Sequence, residues 1–136
     1  MDLARAIGVA AAGLKAQAGR MRIIAENLAN ADSAAKAPGE DPYRRKVPTL
    51  KSSFDDELSA QVVRLGRVER DRSDFRVKHE PGNPLADANG DVRLPNVDSL
   101  IEQMDMREAQ RSYQANLNMV GAARKMIVRT LDILRA

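Results

Sequence analysis

The hydrophobic positions of this chain follow a helical spacing at both ends and lose it in the middle. Residues 97–136 contain no proline and a single glycine, Gly121. The main seam of this segment, spaced by three, four or seven residues, comprises Tyr113, Leu117, Val120, Ile127, Leu131 and Leu134. A second stripe beside it comprises Met119, Ala123, Met126, Thr130 and Ile133. A helix can bury such a broad apolar face only against other helices, so we predict a long helix that needs helical partners.

The start of this C-terminal helix carries two alternative capping signals. Pro95 and Asn96 supply a break followed by a cap, and Ser99 with Glu102 has the spacing of a capping box. Either reading starts the helix within a few residues of position 97.

Residues 2–30 predict a second long helix. Its seam alternates steps of four and three and comprises Leu3, Ile7, Ala10, Leu14, Gln17, Met21, Ile24 and Leu28. Gly8, Gly13 and Gly19 oppose helix formation, each by up to about 1 kcal/mol relative to alanine. We therefore expect a helix that is marginal alone and firm once packed. Asn30 is expected to end it in a left-handed conformation.

The middle of the chain contains all six prolines, between Pro38 and Pro95, which rules out a long helix there. Residues 44–54 are expected to be extended. Short alternating runs at 62–70 and 75–79 predict a β-hairpin whose turn is 71–74. Residues 31–42 and 81–95 are expected to form loops, the second with a turn at Asn89-Gly90.

These patterns predict a mainly α fold in three parts. Residues 1–30 and 97–136 form long terminal helices, which we expect to pair as an antiparallel coiled coil. Residues 31–96 form a small middle lobe of irregular structure and a β-hairpin.

Composition narrows the classes of function. The chain has only two phenylalanines, two tyrosines and no tryptophan, and aromatic side chains usually supply much of a core. Stability is therefore expected to come partly from association. The absence of cysteine excludes disulfides and thiolate metal sites. A net charge of +3 with interspersed signs argues against nucleic acid as a partner. No apolar run approaches the ~20 residues of a membrane span, and no cleaved signal peptide is recognised.

Candidate chemistry is sparse. His79 is the only histidine, and neither a nucleophile nor an orienting partner can be assigned to it from the sequence. The run Asp87 to Asp91 has acidic and amide groups at alternate positions, but Gly90 falls fourth where a calcium loop needs glycine sixth. A tight turn is the better interpretation. We predict no catalytic residue, no metal, no cofactor and no enzymatic activity.

Several blocks of sequence resemble one family. They are Asn27-Leu-Ala-Asn30-Ala-Asp32, Asp41-Pro-Tyr43-Arg-Arg-Lys46, Asp74-Phe-Arg76, Pro81-Gly-Asn-Pro-Leu-Ala-Asp-Ala-Asn-Gly90, Leu94-Pro-Asn-Val97 and Arg111-Ser-Tyr-Gln-Ala-Asn116. Together and in this order they resemble the flagellar basal-body rod proteins, and the Pro-Tyr-Arg-Arg-Lys continuation is similar to the proximal rod proteins. The resemblance covers nearly the whole chain.

The resemblance implies a structural subunit of the proximal rod, which polymerises through its terminal helices into the torque-transmitting shaft. It implies other rod subunits, copies of itself and the flagellar export apparatus as partners, and a location in the periplasmic rod of the basal body. Export would need no cleaved signal peptide, and no direct membrane insertion is expected. The alternatives are another axial rod subunit or a non-flagellar helical-hairpin interaction module.

The helical seams and the resemblance together predict an assembly interface. Its residues are Leu3, Ile7, Leu14, Met21, Ile24, Leu28, Asn30, Tyr43, Arg44, Arg45, Tyr113, Asn116, Leu117, Val120, Ile127, Leu131 and Leu134.

Overall fold

The structure, a computed structural model, describes residues 2–136 and consists of two long helices with short strands between them. Helix α1 spans Leu3–Ala29 and helix α2 spans Ser99–Arg135. The strands are β1 (Lys46–Val47), β2 (Leu50–Asp55), β3 (Ala60–Leu65), β4 (Glu69–Arg70), β5 (Arg76–His79) and β6 (Asp91–Leu94). The two terminal helices and the small β-containing middle are confirmed. At about 1.5 Å per residue, α2 is about 55 Å long.

The strands form three separate antiparallel pairs: β1 with β4, β2 with β3, and β5 with β6. The predicted hairpin is therefore wrong. Residues 60–65 pair back onto 50–55, in the register Leu50↔Leu65, and residues 76–79 pair forward onto 91–94. Residues 91–94, expected to lie in a loop, form strand β6. Alternation within a strand shows which residues share a face, but the pairing depends on non-local contacts.

By its contacts the chain separates into two compact units. Unit 1 comprises the described residues up to Met21 together with Thr49–Arg67 and Arg107–Ala136, and unit 2 comprises Arg22–Pro48 and Val68–Met106. Each is described by itself below.

In unit 1, the β2–β3 hairpin packs against two glycines of α1. A methyl group added at Gly8 would lie 2.5 Å from Leu58 Cδ2, and one at Gly19 would lie 2.9 Å from Leu65 Cδ2. An alanine at either position would require the leucine side chain to shift, so glycine allows the close approach although it weakens the isolated helix. The hairpin turn includes Ser59 at a φ of 48°.

The same unit brings α1 and α2 together through polar groups. A methyl group at Gly13 would lie 2.8 Å from Asn116 Oδ1, and Arg20 Nη2 lies 3.5 Å from Glu108 Oε2. Ala10, Ala16, Val62 and Ala123 are buried. The core of unit 1 is thus built mostly from small side chains.

Unit 2 has a core that combines apolar and polar side chains. Ile23, Ile24, Val92 and Val97 are buried, and Asn27, Asn96 and Glu102 are buried beside them. Strands β5 and β6 are joined by a turn in which Gly90 has a φ of +82°, as the Asn89-Gly90 signal predicts.

Both predicted helix ends differ in detail. Asn30 does not have a positive φ, and its side-chain Nδ2 instead donates to Glu26 O at 2.9 Å. Helix α2 is capped by Asp98, whose Oδ1 accepts hydrogen bonds from the amides of Leu100 and Ile101 at 2.9 and 3.3 Å. Asn96 and Glu102, the predicted capping residues, are used for tertiary contacts.

Candidate assembly interface

The C-terminal end of α2 exposes large apolar side chains. Leu131 is 54% exposed, Ile133 76% and Leu134 77%, and every residue from Val128 onward is exposed. A group of large exposed apolar side chains on a protein surface often marks a site of protein–protein contact. This is the part of the predicted seam that the single chain leaves uncovered.

The rest of the predicted α2 seam has a mixed environment. Tyr113, Asn116, Val120 and Ile127 are half-buried, whereas Leu117 is exposed. Up to Ile127 the seam is therefore half-buried except at Leu117, and it is exposed from there to the C-terminus.

The predicted α1 seam lies mostly between the core and the surface. Ile24 is buried, while Leu3, Ile7, Leu14, Met21 and Leu28 are half-buried. Ile24 thus belongs to the chain's own core, and any effect of Ile24 on assembly would be indirect.

The predicted loop contacts are occupied within unit 2, and Asn27 is at their centre. Its Nδ2 donates to Lys46 O at 2.7 Å and to Glu102 Oε2 at 3.1 Å. Its Oδ1 accepts from Lys46 N at 3.0 Å and from the Tyr43 hydroxyl at 2.8 Å. Asn27 is fully buried, and all four hydrogen-bonding positions of its amide are used. One asparagine therefore fixes the 43–46 segment against both helices of this unit.

Arg45 and Glu102 form a second part of this cluster. Arg45 Nε donates to Glu102 Oε1, and its other nitrogens lie 3.3 Å from Asp71 Oδ2 and 3.7 Å from Asp105 Oδ2. Glu102 is only 1% exposed. Burial acts to lower the pKa of the Arg45 guanidinium, but Glu102 and Asp71 outweigh it and raise that pKa. The buried carboxylate is compensated by one guanidinium and one amide.

Asn96 connects this cluster to the 71–73 turn. Its Oδ1 accepts from Arg45 N at 2.8 Å, and its Nδ2 lies 3.1 Å from Asp71 O and 3.0 Å from Ser73 Oγ. The amide and hydroxyl of Ser73, with Arg45, hold the pKa of Asp71 below its usual range. Burial, with the charges of Glu26 and Glu102, raises the pKa of Tyr43 to about 12.

Arg44 is held in the same way. Its Nη1 donates to Asp71 O at 2.9 Å and to Ser73 O at 3.1 Å, and its guanidinium carbon lies 4.2 Å from the centroid of the Phe75 ring. Tyr43, Arg44 and Arg45 thus have partners within the chain, and a role for them in contacts between subunits stays a prediction.

Sequence reasoning missed Glu102, Asn96 and Asp71 as members of this cluster. Glu102 and Asn96 were interpreted as local caps, because their spacing from the helix start satisfies a capping rule. The available signal was the spacing of Glu102, Ala109 and Asn116 at steps of seven, which places an acidic residue on the same helical face as a small and an amide side chain.

The other residues that the sequence suggested for catalysis or metal binding have structural roles. His79 ends β5, and its Nδ1 lies 2.9 Å from Asp91 Oδ1. An orienting partner therefore exists, although none was assigned from the sequence. Asp87 Oδ1 accepts from the amides of Asn89 and Asp91 at 2.8 and 3.0 Å, which is a tight turn. Within residues 2–136 no group of acidic residues and histidine could hold a metal ion. None of the helices described there is both long and apolar enough to cross a bilayer.

Comparisons of the sequence with known proteins assign this chain to a family. A family model described as "Flagellar basal body rod FlgEFG protein C-terminal" matches residues 88–133. The flagellar basal-body rod protein FlgC of Agrobacterium fabrum is 46% identical over 134 residues, covering 98% of this chain and 96% of that protein. FlgC of Salmonella typhimurium is 37% identical over 133 residues, covering 98% of each.

A third relative is similar over nearly its whole length. FlgC of Bacillus subtilis is 36% identical over 148 residues, covering 98% of this chain and 99% of that protein. Because identity at this level spans nearly the whole of both chains, the chain belongs to the family of flagellar basal-body rod proteins FlgC.

Proposed function

We propose that the chain is a structural subunit of the flagellar basal-body rod, in its proximal part, and that it has no enzymatic activity. The near full-length similarity to proteins named as basal-body rod proteins carries this proposal. The uncovered apolar end of α2 supports it independently, because a subunit that polymerises needs surfaces that only neighbours cover.

The terminal helices are the proposed polymerising elements. Their pairing as an antiparallel coiled coil is supported by two contacts that run in opposite chain directions within unit 1, Gly13 beside Asn116 and Arg20 beside Glu108. In this proposal residues 1–30 and 97–136 form the axial part of the shaft, and residues 31–96 form a lobe beside it.

The partners proposed for the chain are copies of itself, other rod subunits and the flagellar export apparatus. Its proposed location is the periplasmic rod, reached by export without a cleaved signal peptide. Neither nucleic acid nor membrane insertion is part of the proposed function. The small net charge of +3, with 22 basic and 19 acidic residues over the whole sequence, supports the first exclusion.

The test is complementation. In a strain lacking the gene, the unmodified chain is expected to restore motility and complete basal bodies in electron micrographs. Cell fractionation would show the chain in purified hook–basal bodies. Complete rods in the deletion strain would overturn the proposal and would favour a non-flagellar helical-hairpin module. Rods interrupted at a different position would favour another axial subunit.

A further inference from the structure

Helix α2 carries an outer stripe that the chain leaves uncovered. The outer stripe comprises Ala115, Met119, Ala122, Met126 and Ile133, at steps of four, three, four and seven. All five are exposed, Met126 by 47%. The stripe lies roughly a quarter turn around the helix from the buried Ala109 and Ala123. It is a helical surface that unit 1 leaves largely exposed.

Most of the charges along this stretch of helix are positive. Between Glu108 and Asp132 the helix contains no acidic residue, and its cations there are Arg111, Arg124, Lys125 and Arg129. Arg111 and Arg129 lie beside the stripe, Lys125 lies about a quarter turn from it and Arg124 lies on the opposite face, whereas Asp132 directly precedes Ile133. None of the four forms a salt bridge within residues 2–136. Apolar side chains flanked by unpaired cations fit a partner surface that is apolar and acidic.

Unit 1 itself displays a surface of that chemistry at the end of the β2–β3 hairpin. Phe54 is 57% exposed, and Asp56 and Glu57 beside it are exposed. Neither of these two carboxylates forms a salt bridge in the part of the chain that the structure describes. We call residues 54–57 the hairpin tip.

An open cleft beside the stripe could receive an aromatic ring. It has a volume of about 440 Å³ and is lined mainly by Ala6, Val9, Ala10 and Met119, with Asp2, Arg5 and Asn116 at its margin. A side chain that fills a well-packed apolar pocket, surrounded by contacts that exclude water, is a common arrangement of an energetically important contact.

We propose that the hairpin tip of one copy binds the outer stripe of a second copy. Phe54 enters the cleft beside Met119, and Asp56 and Glu57 face Lys125 and Arg129. Because the two surfaces are different, each copy of a bound pair still has one unoccupied surface, either its hairpin tip or its outer stripe. Such a heterologous contact continues into an open filament when its rotation does not close a ring. This inference rests on the proposed function and names one contact of the shaft.

The absence of cysteine allows a direct test. A Glu57→Cys chain and a Met126→Cys chain are mixed under conditions that favour assembly, and disulfide formation is measured. The mixture is expected to cross-link at least tenfold more than either variant alone. Lys51→Cys, an exposed position on the opposite face of β2, replaces Glu57→Cys as the matched control and is expected to cross-link at least tenfold less. Equal cross-linking of the control, or dimers from one variant alone, would overturn the contact.

Charge reversal tests the same contact without cross-linking. Lys125→Glu with Arg129→Glu is expected to weaken self-association at least tenfold in sedimentation experiments. Adding Asp56→Lys with Glu57→Lys is expected to restore it. An unchanged association would overturn the proposal. Binding of the chain to phosphatidylglycerol vesicles, without cross-linking between the Glu57→Cys and Met126→Cys chains, would also overturn it, because an anionic membrane is the other surface that suits a basic amphipathic helix.

Rods in cells separate this proposal from the function on which it rests. If the Lys125→Glu, Arg129→Glu chain builds normal rods in the deletion strain, the docking contact is wrong while the rod function stands. If the unmodified chain fails to restore rods, the proposed function is wrong.

Discussion

The end of α2 and the Asn27 cluster of unit 2 differ in how their side chains are stabilised. At the helix end, Leu131, Ile133 and Leu134 are more than half exposed, so the single chain does not gain the free energy of burying them. In the cluster, Asn27 and Glu102 are buried and their polar atoms find partners within the chain. Buried polar groups that are fully paired specify one arrangement, whereas an uncovered apolar face accepts a partner. We therefore expect unit 2 to be ordered before assembly and the end of α2 to become ordered on assembly.

The largest expected effect is at the exposed end. Leu131→Asp places a carboxylate where a neighbour should bury a leucine, and burying an unpaired charge costs several kcal/mol. We expect synthesis and solubility to survive, but no complete rods and no motility in electron micrographs and swimming assays. Gln110→Asp, at an exposed polar position on the same helix, is the control and should assemble normally. Intact rods containing Leu131→Asp would show that this face stays in solvent.

Hydrogen exchange on the free chain compares the two regions directly. Amides of residues 22–29 and 99–106 are expected to exchange about a hundredfold or more slowly than those of 128–135, because only the first set is held by buried tertiary contacts. Assembly should then slow the 128–135 amides. Equal protection of both sets in the free chain would remove the distinction between them.

Removal of the buried carboxylate should destabilise unit 2. Glu102→Ala leaves Asn27 Nδ2 with one partner fewer and Arg45 with only Asp71 and Asp105. We expect a loss of about 2 to 4 kcal/mol in the free energy of unfolding, measured by denaturant titration. Glu108→Ala is the control, since its ion pair with Arg20 is 66% exposed on the acidic side and should contribute less than about 1 kcal/mol. Equal losses in the two variants would mean that Glu102 contributes no more than a surface charge.

The raised pKa of Tyr43 predicts how the stability of unit 2 changes at alkaline pH. Its folded pKa of about 12 lies above the ordinary value of 10.0, so its contribution to stability is complete below pH 10 and is lost as pH rises toward 12. Tyr43→Phe should cost about 1 kcal/mol at neutral pH, through the lost hydrogen bond to Asn27, and should flatten the alkaline decline. An unchanged alkaline limb of the unfolding curve would contradict this assignment.

The lowered pKa of Asp71 predicts how stability changes at acid pH. Its folded pKa is depressed, so its contribution is complete above the unfolded value of about 3.9 and is lost as pH falls through the lower folded pKa. In Asp71→Asn this part of the acid-induced loss of stability should disappear. An equal loss of stability between neutral pH and acid in the two proteins would contradict the expectation.

The smallest expected effect sharpens the comparison along α2. Gly121 has no atom within 4 Å of an added methyl group, so Gly121→Ala should stabilise the free chain by about 0.5 to 1 kcal/mol. Gly13→Ala is the contrasting variant, because its methyl group would meet Asn116 at 2.8 Å. If Gly121→Ala stabilises the free chain but blocks rods, a neighbouring copy approaches closely at that position.

The two long helices could be predicted because helical periodicity is a local property. The seam residues from Leu3 to Leu28 and from Tyr113 to Leu134 repeat at a spacing that only a helix places on one face. Prolines between 38 and 95 excluded a third long helix for an equally local reason. The family resemblance came from short blocks read in order, which also needs no tertiary information.

The pairing of strands and the partners of buried polar groups required the tertiary structure. Arg45 and Glu102 are 57 residues apart, and nothing near either residue indicates the other. Gly8 and Gly19 appeared as weaknesses of α1 until Leu58 and Leu65 were seen against them. Periodicity reports which side of an element avoids water, whereas the choice of what covers that side is made by contacts between distant parts of the chain. For the end of α2 no distant part of the chain supplies such contacts, and its leucines are exposed.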